Sequence, residues 1–179
     1  MASDTLLATL AGGAISLATS MATTYWAEII KVRRESRNIA LAFHGGISAI
    51  LTIVGERRYV QLVRAVVAAG RNGQDIAPLR IIAQRNYVEL YSKNVDKLGM
   101  LDPALSERIP IFYTCVNSLL EDVDAMADGK WDHLDRHSLL ANLEQFADLL
   151  GKTISLGNHI LSLTQEKYPR SMLWAAIPG

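Results

Sequence analysis

The sequence predicts an all-α protein in which an N-terminal transmembrane helix is followed by an antiparallel helical bundle. Three observations lead to this fold class. Residues 5–27 carry no charged side chain, and four cations follow within the next ten positions. Apolar residues then recur at spacings of three and four, which is the period of a helix. The alternation of apolar and polar residues that is typical of strands is absent from the sequence.

The opening uncharged stretch is long enough to cross a bilayer. At about 1.5 Å per residue, a helix over residues 5–27 spans roughly 34 Å, and a hydrocarbon core is about 30 Å thick. Tyr25 and Trp26 lie at its end, where amphipathic aromatic rings favour the membrane–water interface. A buried core helix is an alternative, because Ser and Thr residues dilute the hydrophobicity. A cleaved signal peptide is disfavoured, because no Lys or Arg precedes the stretch.

The charges that flank this stretch predict its orientation. No Lys or Arg precedes it, whereas Lys31, Arg33, Arg34 and Arg37 follow it and are expected at the membrane interface. The positive-inside rule then predicts a single-pass protein of the bacterial inner membrane, with its N-terminus outside and the remaining chain cytoplasmic. The single cysteine, Cys115, agrees with a reducing compartment.

Small residues recur every four positions in the predicted anchor. They are Ala8, Gly12, Ser16 and Ser20, which share one face of a helix. Such stripes let two helix backbones approach closely in lipid. The stripe predicts a contact with a second copy or with another membrane protein. The alternative is that Ala and Gly are simply common in an Ala-rich membrane helix.

The chain is expected to have three parts: an anchor (residues 1–30), a cytoplasmic helical bundle (31–168) and an apolar C-terminal tail (169–179). The tail contains Met172, Leu173, Trp174 and Ile177, too few apolar residues to span a membrane. It is expected to cover the bundle, to lie on the membrane surface or to insert into a partner.

The first segment of the bundle has an apolar helical face formed by Ile39, Phe43 and Ile47. Residues 38–55 are also uncharged, so a second, short membrane segment is an alternative. The adjacent Gly45 and Gly46 interrupt this helical pattern and indicate either a kink or close packing.

Capping residues delimit the later helices. A helix is predicted over residues 79–98, ended by Gly99. Asp102 is the predicted N-cap of the next helix, which is expected to end at Gly129. A last long helix is predicted over residues 135–166 from its apolar spacing.

The central part of the chain resembles a group of small bacterial helical proteins that have an N-terminal membrane anchor. The resemblance covers about residues 39–125 and includes "ALAFHGGISAIL", where Gly46 stands at a position usually held by glutamate. The other matching residues are Tyr91, Asn94, Leu98, Gly99, Leu101, Leu105, Ile109, Phe112 and Tyr113. The resemblance implies an anchored helical architecture and no particular activity or site.

No arrangement of residues predicts catalysis, a cofactor or a metal site. His133 and His137 are four apart, but the glutamate of a metalloprotease motif is missing. Cys115 has no neighbouring histidine to activate it. A ligand pocket near His44 and Tyr87 is the remaining candidate, and a hydrogen-bonded core histidine is the alternative.

The charge balance argues against nucleic acid as a partner. The chain has no net charge, since a basic central region is offset by an acidic C-terminal half. Membrane lipid and other membrane proteins are the expected partners. We therefore expect a non-enzymatic interaction protein, an accessory or scaffold subunit of a membrane assembly. The alternative is an anchored bundle that senses a small molecule or another signal.

Overall fold

The computed structural model describes residues 2–77, 79–81 and 88–169, with side chains from Thr19 onward. The helices are α1 (Ala2–Glu56), α2 (Tyr59–Arg71), α3 (Glu89–Ser92), a 3₁₀ helix (Val95–Met100), α4 (Pro103–Ala127) and α5 (Arg136–Lys167). No strand occurs within the described ranges. The predicted all-α class is therefore confirmed.

The chain divides by its internal contacts into Met1–Asn38 and Ile39–Gly179. The division falls within the residues of α1. The helix also continues through Gly45 and Gly46. Of the two, Gly46 lies in a close contact, because a Cβ atom added there would meet the side chain of Leu90.

The junction between α1 and α2 is made by a residue in an uncommon conformation. Arg58 has φ 53° and ψ 34°, the left-handed region that non-glycine residues rarely adopt. The backbone N–H of Arg58 donates to the carbonyl of Gly55, and the N–H of Leu62 donates to the carbonyl of Arg58. The chain thus turns sharply between the two helices, although the sequence there contains no proline.

The two longest helices of the second unit begin at aspartate caps. The Asp102 carboxylate accepts the backbone N–H of Ala104 at 3.0 Å, and Pro103 occupies the first helical position. The Asp135 carboxylate accepts from the backbone N–H of His137 and of Ser138. The predicted N-cap at Asp102 is confirmed, and the helix it begins ends two residues before Gly129.

Buried residues along α4 and α5 follow a heptad spacing. In α5 they alternate at intervals of four and three from end to end, which keeps one seam facing its neighbours. The seam consists of Leu139, Leu143, Phe146, Leu150, Thr153, Gly157, Ile160 and Thr164. The corresponding seam of α4 consists of Leu105, Ile109, Phe112, Val116, Leu119, Val123 and Met126.

Two apolar clusters lie along this pair of helices. In the first, the beginning of α4 packs with Phe43 and Ile47 of α1 and with Ile160 near the end of α5. In the second, the end of α4 packs with α2 and with the beginning of α5. The helices α4 and α5 therefore run in opposite directions, and α1 and α2 pack against different parts of them.

The helix predicted over residues 79–98, with Gly99 as its cap, is wrong in the part that the structure describes. Residues 79–81 are not helical, and the later part holds only α3 and the 3₁₀ helix, which contains Gly99. The side-chain amide of Asn94 donates to the carbonyl of Leu90 at 2.9 Å, so a local bond competes with continued helix. Arg80 donates to the carbonyls of Met126 and Ala127 at the end of α4, which holds the extended segment there.

Candidate functional site

Among the described residues, α1 is the one helix that is long and apolar enough to cross a membrane. The qualifying range is Thr19–Glu56, with a mean hydropathy of 1.6 over its best 18-residue window. That range contains six charged residues between positions 28 and 37, so its uncharged stretch of 18 residues is 38–55. A membrane span and a core helix can have the same length and composition. They differ in whether their apolar side chains are buried against the rest of the protein.

Four apolar residues of the 38–55 segment are buried within the second unit, namely Ile39, Ala40, Phe43 and Ile47. Phe43 is 1% exposed and Ile47 is fully buried, and both belong to the first apolar cluster. Ala42, Gly45 and Ala49 on the other side are small and exposed. This arrangement is that of an amphipathic helix whose wide face covers a protein core.

The opposite situation holds in the first unit, where large apolar side chains are exposed. Met21 is 71% exposed, Tyr25 is 68% exposed and Trp26 is 63% exposed, followed by Ile30 and Val32. At 3.6 residues per turn, Tyr25 and Val32 lie within about 40° of Met21, whereas Trp26 and Ile30 lie roughly 140–180° away. The exposed apolar surface therefore includes two opposite sides of the helix.

Cations follow the exposed aromatic residues along the same helix. Lys31, Arg33 and Arg34 are all exposed. Lys31 lies 4.0 Å from the carboxylate of Glu28, a surface ion pair of small energetic value. Arg37 differs from the other three because it is half-buried. Aromatic residues and then cations in this order are typical of the end of a membrane segment.

Threonine hydroxyls in this segment are bonded within the helix itself. Thr23 donates to the carbonyl of Thr19 at 2.7 Å, and Thr24 donates to that of Ser20 at 2.9 Å. Such bonds remove the penalty of bringing a hydroxyl into lipid. Thr52 and Thr153 form the same bond in the second unit, so the bond permits membrane insertion without indicating it.

The predicted small-residue stripe lies mostly outside the described side chains. This holds for Ala8, Gly12 and Ser16, for which the structure describes the helical backbone only. Ser20 is exposed. The helix–helix contact through this stripe stays a prediction.

His44 lines a cleft, whereas its predicted partner Tyr87 lies outside the described residues. The cleft has a volume of about 330 Å³ and is also lined by Leu41, Thr164, Gln165 and Tyr168. Nδ1 of His44 is buried and has no hydrogen-bond partner among the described residues. Two other polar groups of the cleft are engaged, since Thr164 donates to the carbonyl of Ile160 and the Tyr168 hydroxyl accepts from the N–H of Asp102.

An aromatic cluster that sequence reasoning missed includes Phe43, the residue directly before His44. The ring of Tyr113 is stacked on that of Tyr91, with centroids 4.8 Å apart, and meets Phe43 and Phe112 edge-on. The Tyr113 hydroxyl is buried without a described partner, and burial raises the pKa of Tyr113 to about 12. The spacing of Phe43, Tyr91 and Tyr113 in the chain gives no local signal of this contact.

Gly46 brings α1 close to this cluster. A Cβ atom at this position would lie 2.5 Å from Cδ2 of Leu90 and 3.3 Å from the hydroxyl oxygen of Tyr113. The space that a longer side chain would need at position 46 is therefore occupied by Leu90.

The residues considered for chemistry do not come together. His133, in the turn before α5, and His137, in the first turn of α5, are both exposed. Cys115 is a half-buried residue of α4. Within the described ranges, no three His, Cys, Asp or Glu side chains are grouped as a metal site requires. Residues 170–179, with the apolar side chains of the predicted tail, lie outside those ranges.

Comparison of the chain with protein-family models, with curated proteins and with solved structures found no match.

Proposed function

We propose that this chain is a non-enzymatic, membrane-anchored helical interaction protein, an accessory or scaffold subunit of a membrane assembly. In this proposal residues 5–27 cross the bacterial inner membrane once, with the N-terminus outside. Residues 31–168 form an antiparallel helical bundle in the cytoplasm. The stripe Ala8, Gly12, Ser16 and Ser20 contacts a second copy or another membrane protein.

One observation carries the membrane attachment: within the proposed span, Met21 and Tyr25 are exposed on one side of α1, and Trp26 is exposed about 140° around the helix from Met21. A helix that lies along a protein core or on a membrane surface needs one apolar face. A helix surrounded by lipid gains from apolar side chains on every side. Exposed Lys31, Arg33 and Arg34 then mark the cytoplasmic end, since cations near anionic lipid contribute about 1 kcal/mol each.

Membrane extraction tests the anchor. Ile15→Arg places a charge near the middle of the uncharged stretch, where it costs about 2.5–3.5 kcal/mol on insertion scales. We expect the native chain to resist alkaline carbonate extraction and Ile15→Arg to be extracted. The matched control is Ile111→Arg, which changes an exposed residue of α4 and should stay in the membrane. Extraction of the native chain would contradict the anchor.

Thiol labelling tests the orientation. In a Cys115→Ser background, Ser3→Cys should react with a membrane-impermeant maleimide in intact spheroplasts. Lys130→Cys, an exposed position after α4, should react only after lysis. Labelling of Lys130→Cys in intact spheroplasts, with Ser3→Cys labelled only after lysis, would indicate that the helical bundle lies outside.

A second candidate function is a membrane-anchored bundle that senses a small molecule or another signal. It is favoured by Nδ1 of His44, which is buried without a hydrogen-bond partner among the described residues, at the cleft that Leu41 and Gln165 also line. A ligand of this cleft should raise the melting temperature of the native chain and not that of Leu41→Trp, which fills the cleft. Ligands that raise the melting temperatures of the native chain and of Leu41→Trp equally would contradict this function.

A further inference from the structure

The cleft beside His44 lies where the described chain ends. Leu41 and His44 of α1 line one side of it, and the other lining residues come from the end of α5 and the two positions that follow, Tyr168 and Pro169. All of them belong to the second unit. Because Pro169 is itself a lining residue, residues 170–179 continue directly from the wall of the cleft.

The lining of the cleft is uncharged and partly apolar. It contains Leu41, His44, Thr164, Gln165, Tyr168 and Pro169, none of which is an acid, a lysine or an arginine. Leu41 is a large apolar residue that is 37% exposed. The hydroxyls of Thr164 and Tyr168 are already bonded to backbone groups, to the carbonyl of Ile160 and the N–H of Asp102. An uncharged and largely apolar occupant therefore matches the cleft.

The segment that follows Pro169 has this character. Residues 171–179 carry no charged side chain, and four of them are large and apolar: Met172, Leu173, Trp174 and Ile177. Burial of apolar surface contributes about 25 cal/mol per Å², and a tryptophan side chain buries roughly 150–250 Å². Trp174 is therefore the residue of this segment that gains most from a partly apolar cleft.

Covalent attachment favours this segment over a separate molecule. Trp174 is five residues from Pro169, and an extended chain advances at most about 3.6 Å per residue, so Trp174 can reach roughly 18 Å from the cleft wall. A cleft of about 330 Å³ lies within that reach. A tethered segment does not lose the translational freedom that a free ligand loses on binding, and a short linker gives it a high effective concentration.

We propose that the C-terminal segment of the same chain, residues 171–177, occupies the cleft and places the side chain of Trp174 against Leu41. The inference does not depend on the membrane anchor. It goes beyond both functions proposed above, because a small molecule in this cleft would have to compete with the segment.

Photo-crosslinking from position 174 tests the proposal. Trp174→p-benzoylphenylalanine keeps an aromatic side chain there, and the full-length chain is irradiated in nanodiscs of phosphatidylcholine and phosphatidylglycerol. Trypsin then cuts after Arg37, Arg57 and Arg170, so residues 38–57, with Leu41 and His44, form one peptide. We expect residues 171–179 to be joined to this peptide in material that runs as a monomer on a denaturing gel.

The other possible crosslinks would overturn the proposal. Adducts with lipid would show that the segment lies on the membrane surface, and a crosslinked dimer would show that it contacts a second copy. Any result that lacks the crosslink to residues 38–57 within one chain is contrary to the proposal.

Matched variants separate docking from chance encounters of the segment with α1. Leu41→Asp places a charge in the cleft wall and should reduce the crosslink about tenfold, the ratio that follows from a loss of about 1.4 kcal/mol. Leu62→Asp changes a leucine of α2 that is 44% exposed and does not line the cleft, and it should leave the yield unchanged. Equal yields from the two variants would overturn the proposal.

A second variant guards against a loss of folding. If Leu41→Asp melts at a lower temperature than the native chain, Gln165→Asp replaces it, since Gln165 is an exposed residue of the α5 side of the cleft. The same two outcomes apply. A chain that is extracted by carbonate and still gives the crosslink would overturn the anchor and support the docked segment, and a chain that resists extraction without the crosslink would do the reverse.

Discussion

At the scale of single residues, Gly157 decides how closely three helices approach. A Cβ atom there would lie 2.8 Å from Cε2 of Phe112 and 3.1 Å from Cδ1 of Leu51. We therefore expect Gly157→Ala to lower the free energy of unfolding by about 1–3 kcal/mol, as overpacked cores do. Urea denaturation measures this change.

Gly151 provides the control for that prediction. It lies in the same helix, and a Cβ atom there meets nothing within 4 Å. Gly151→Ala should raise the free energy of unfolding by up to about 1 kcal/mol, because alanine is the better helix former. Equal effects of the two substitutions would contradict the close approach at Gly157.

Tyr113 is one of the described residues with a buried polar atom that has no described hydrogen-bond partner. Its hydroxyl is buried without a described partner, so Tyr113→Phe should raise the free energy of unfolding by about 1 kcal/mol. Tyr168→Phe is the control, because it removes the acceptor of the Asp102 N–H and should be destabilising. A destabilising Tyr113→Phe would indicate that the hydroxyl is hydrogen-bonded.

The same tyrosine predicts a dependence of stability on alkaline pH. Burial raises the pKa of Tyr113 from an ordinary value of 10.0 to about 12. Between these values the unfolded chain loses the proton and the folded chain keeps it, so stability falls as pH rises, by up to about 1.4 kcal/mol per pH unit. Unfolding measured between pH 9 and 11.5 should show this decline in the native chain and a smaller one in Tyr113→Phe.

At the scale of elements, the beginning of α5 depends on one side chain. Hydrogen bonds from the hydroxyl and backbone N–H of Ser138 lower the pKa of Asp135, with a smaller contribution from His137. This stabilisation is present above the ordinary pKa of aspartate and is lost as pH falls through the lowered pKa. Asp135→Ala should destabilise the chain at pH 7 more than Asp135→Asn, which keeps an acceptor. Thermal melts of the two variants that coincide at pH 7 would contradict this role.

Assembly of the whole molecule is predicted to depend on the small-residue stripe. Gly12→Leu should disrupt a close contact between backbones and shift the particle in mild detergent to a smaller mass. Gly13→Leu, which lies about 100° away around the helix, should leave the mass unchanged. Multi-angle light scattering of both variants and the native chain provides the comparison. No change with Gly12→Leu would contradict an interface at this stripe.

Part of this architecture could be predicted because it depends on neighbouring residues. The caps at Asp102 and Asp135 act over three residues, and apolar spacing indicates the long helices α4 and α5 before any packing is known. The uncharged stretch 5–27 followed by cations likewise depends on composition alone. The candidate anchor was therefore recognisable in the sequence, together with Tyr25 and Trp26.

Only the tertiary structure decided which residues face a neighbour. Thr153, Gly157 and Thr164 lie in the buried seam of α5, although their side chains are not among those that apolar spacing identifies. In the described part of residues 79–98, the predicted helix gives way to shorter elements, and Asn94 and Arg80 form hydrogen bonds there that the apolar pattern does not encode. Helix formation is a local property, whereas burial and close approach depend on groups that are distant in the chain. The close approach of Gly46 to Leu90 and Tyr113 is of this second kind.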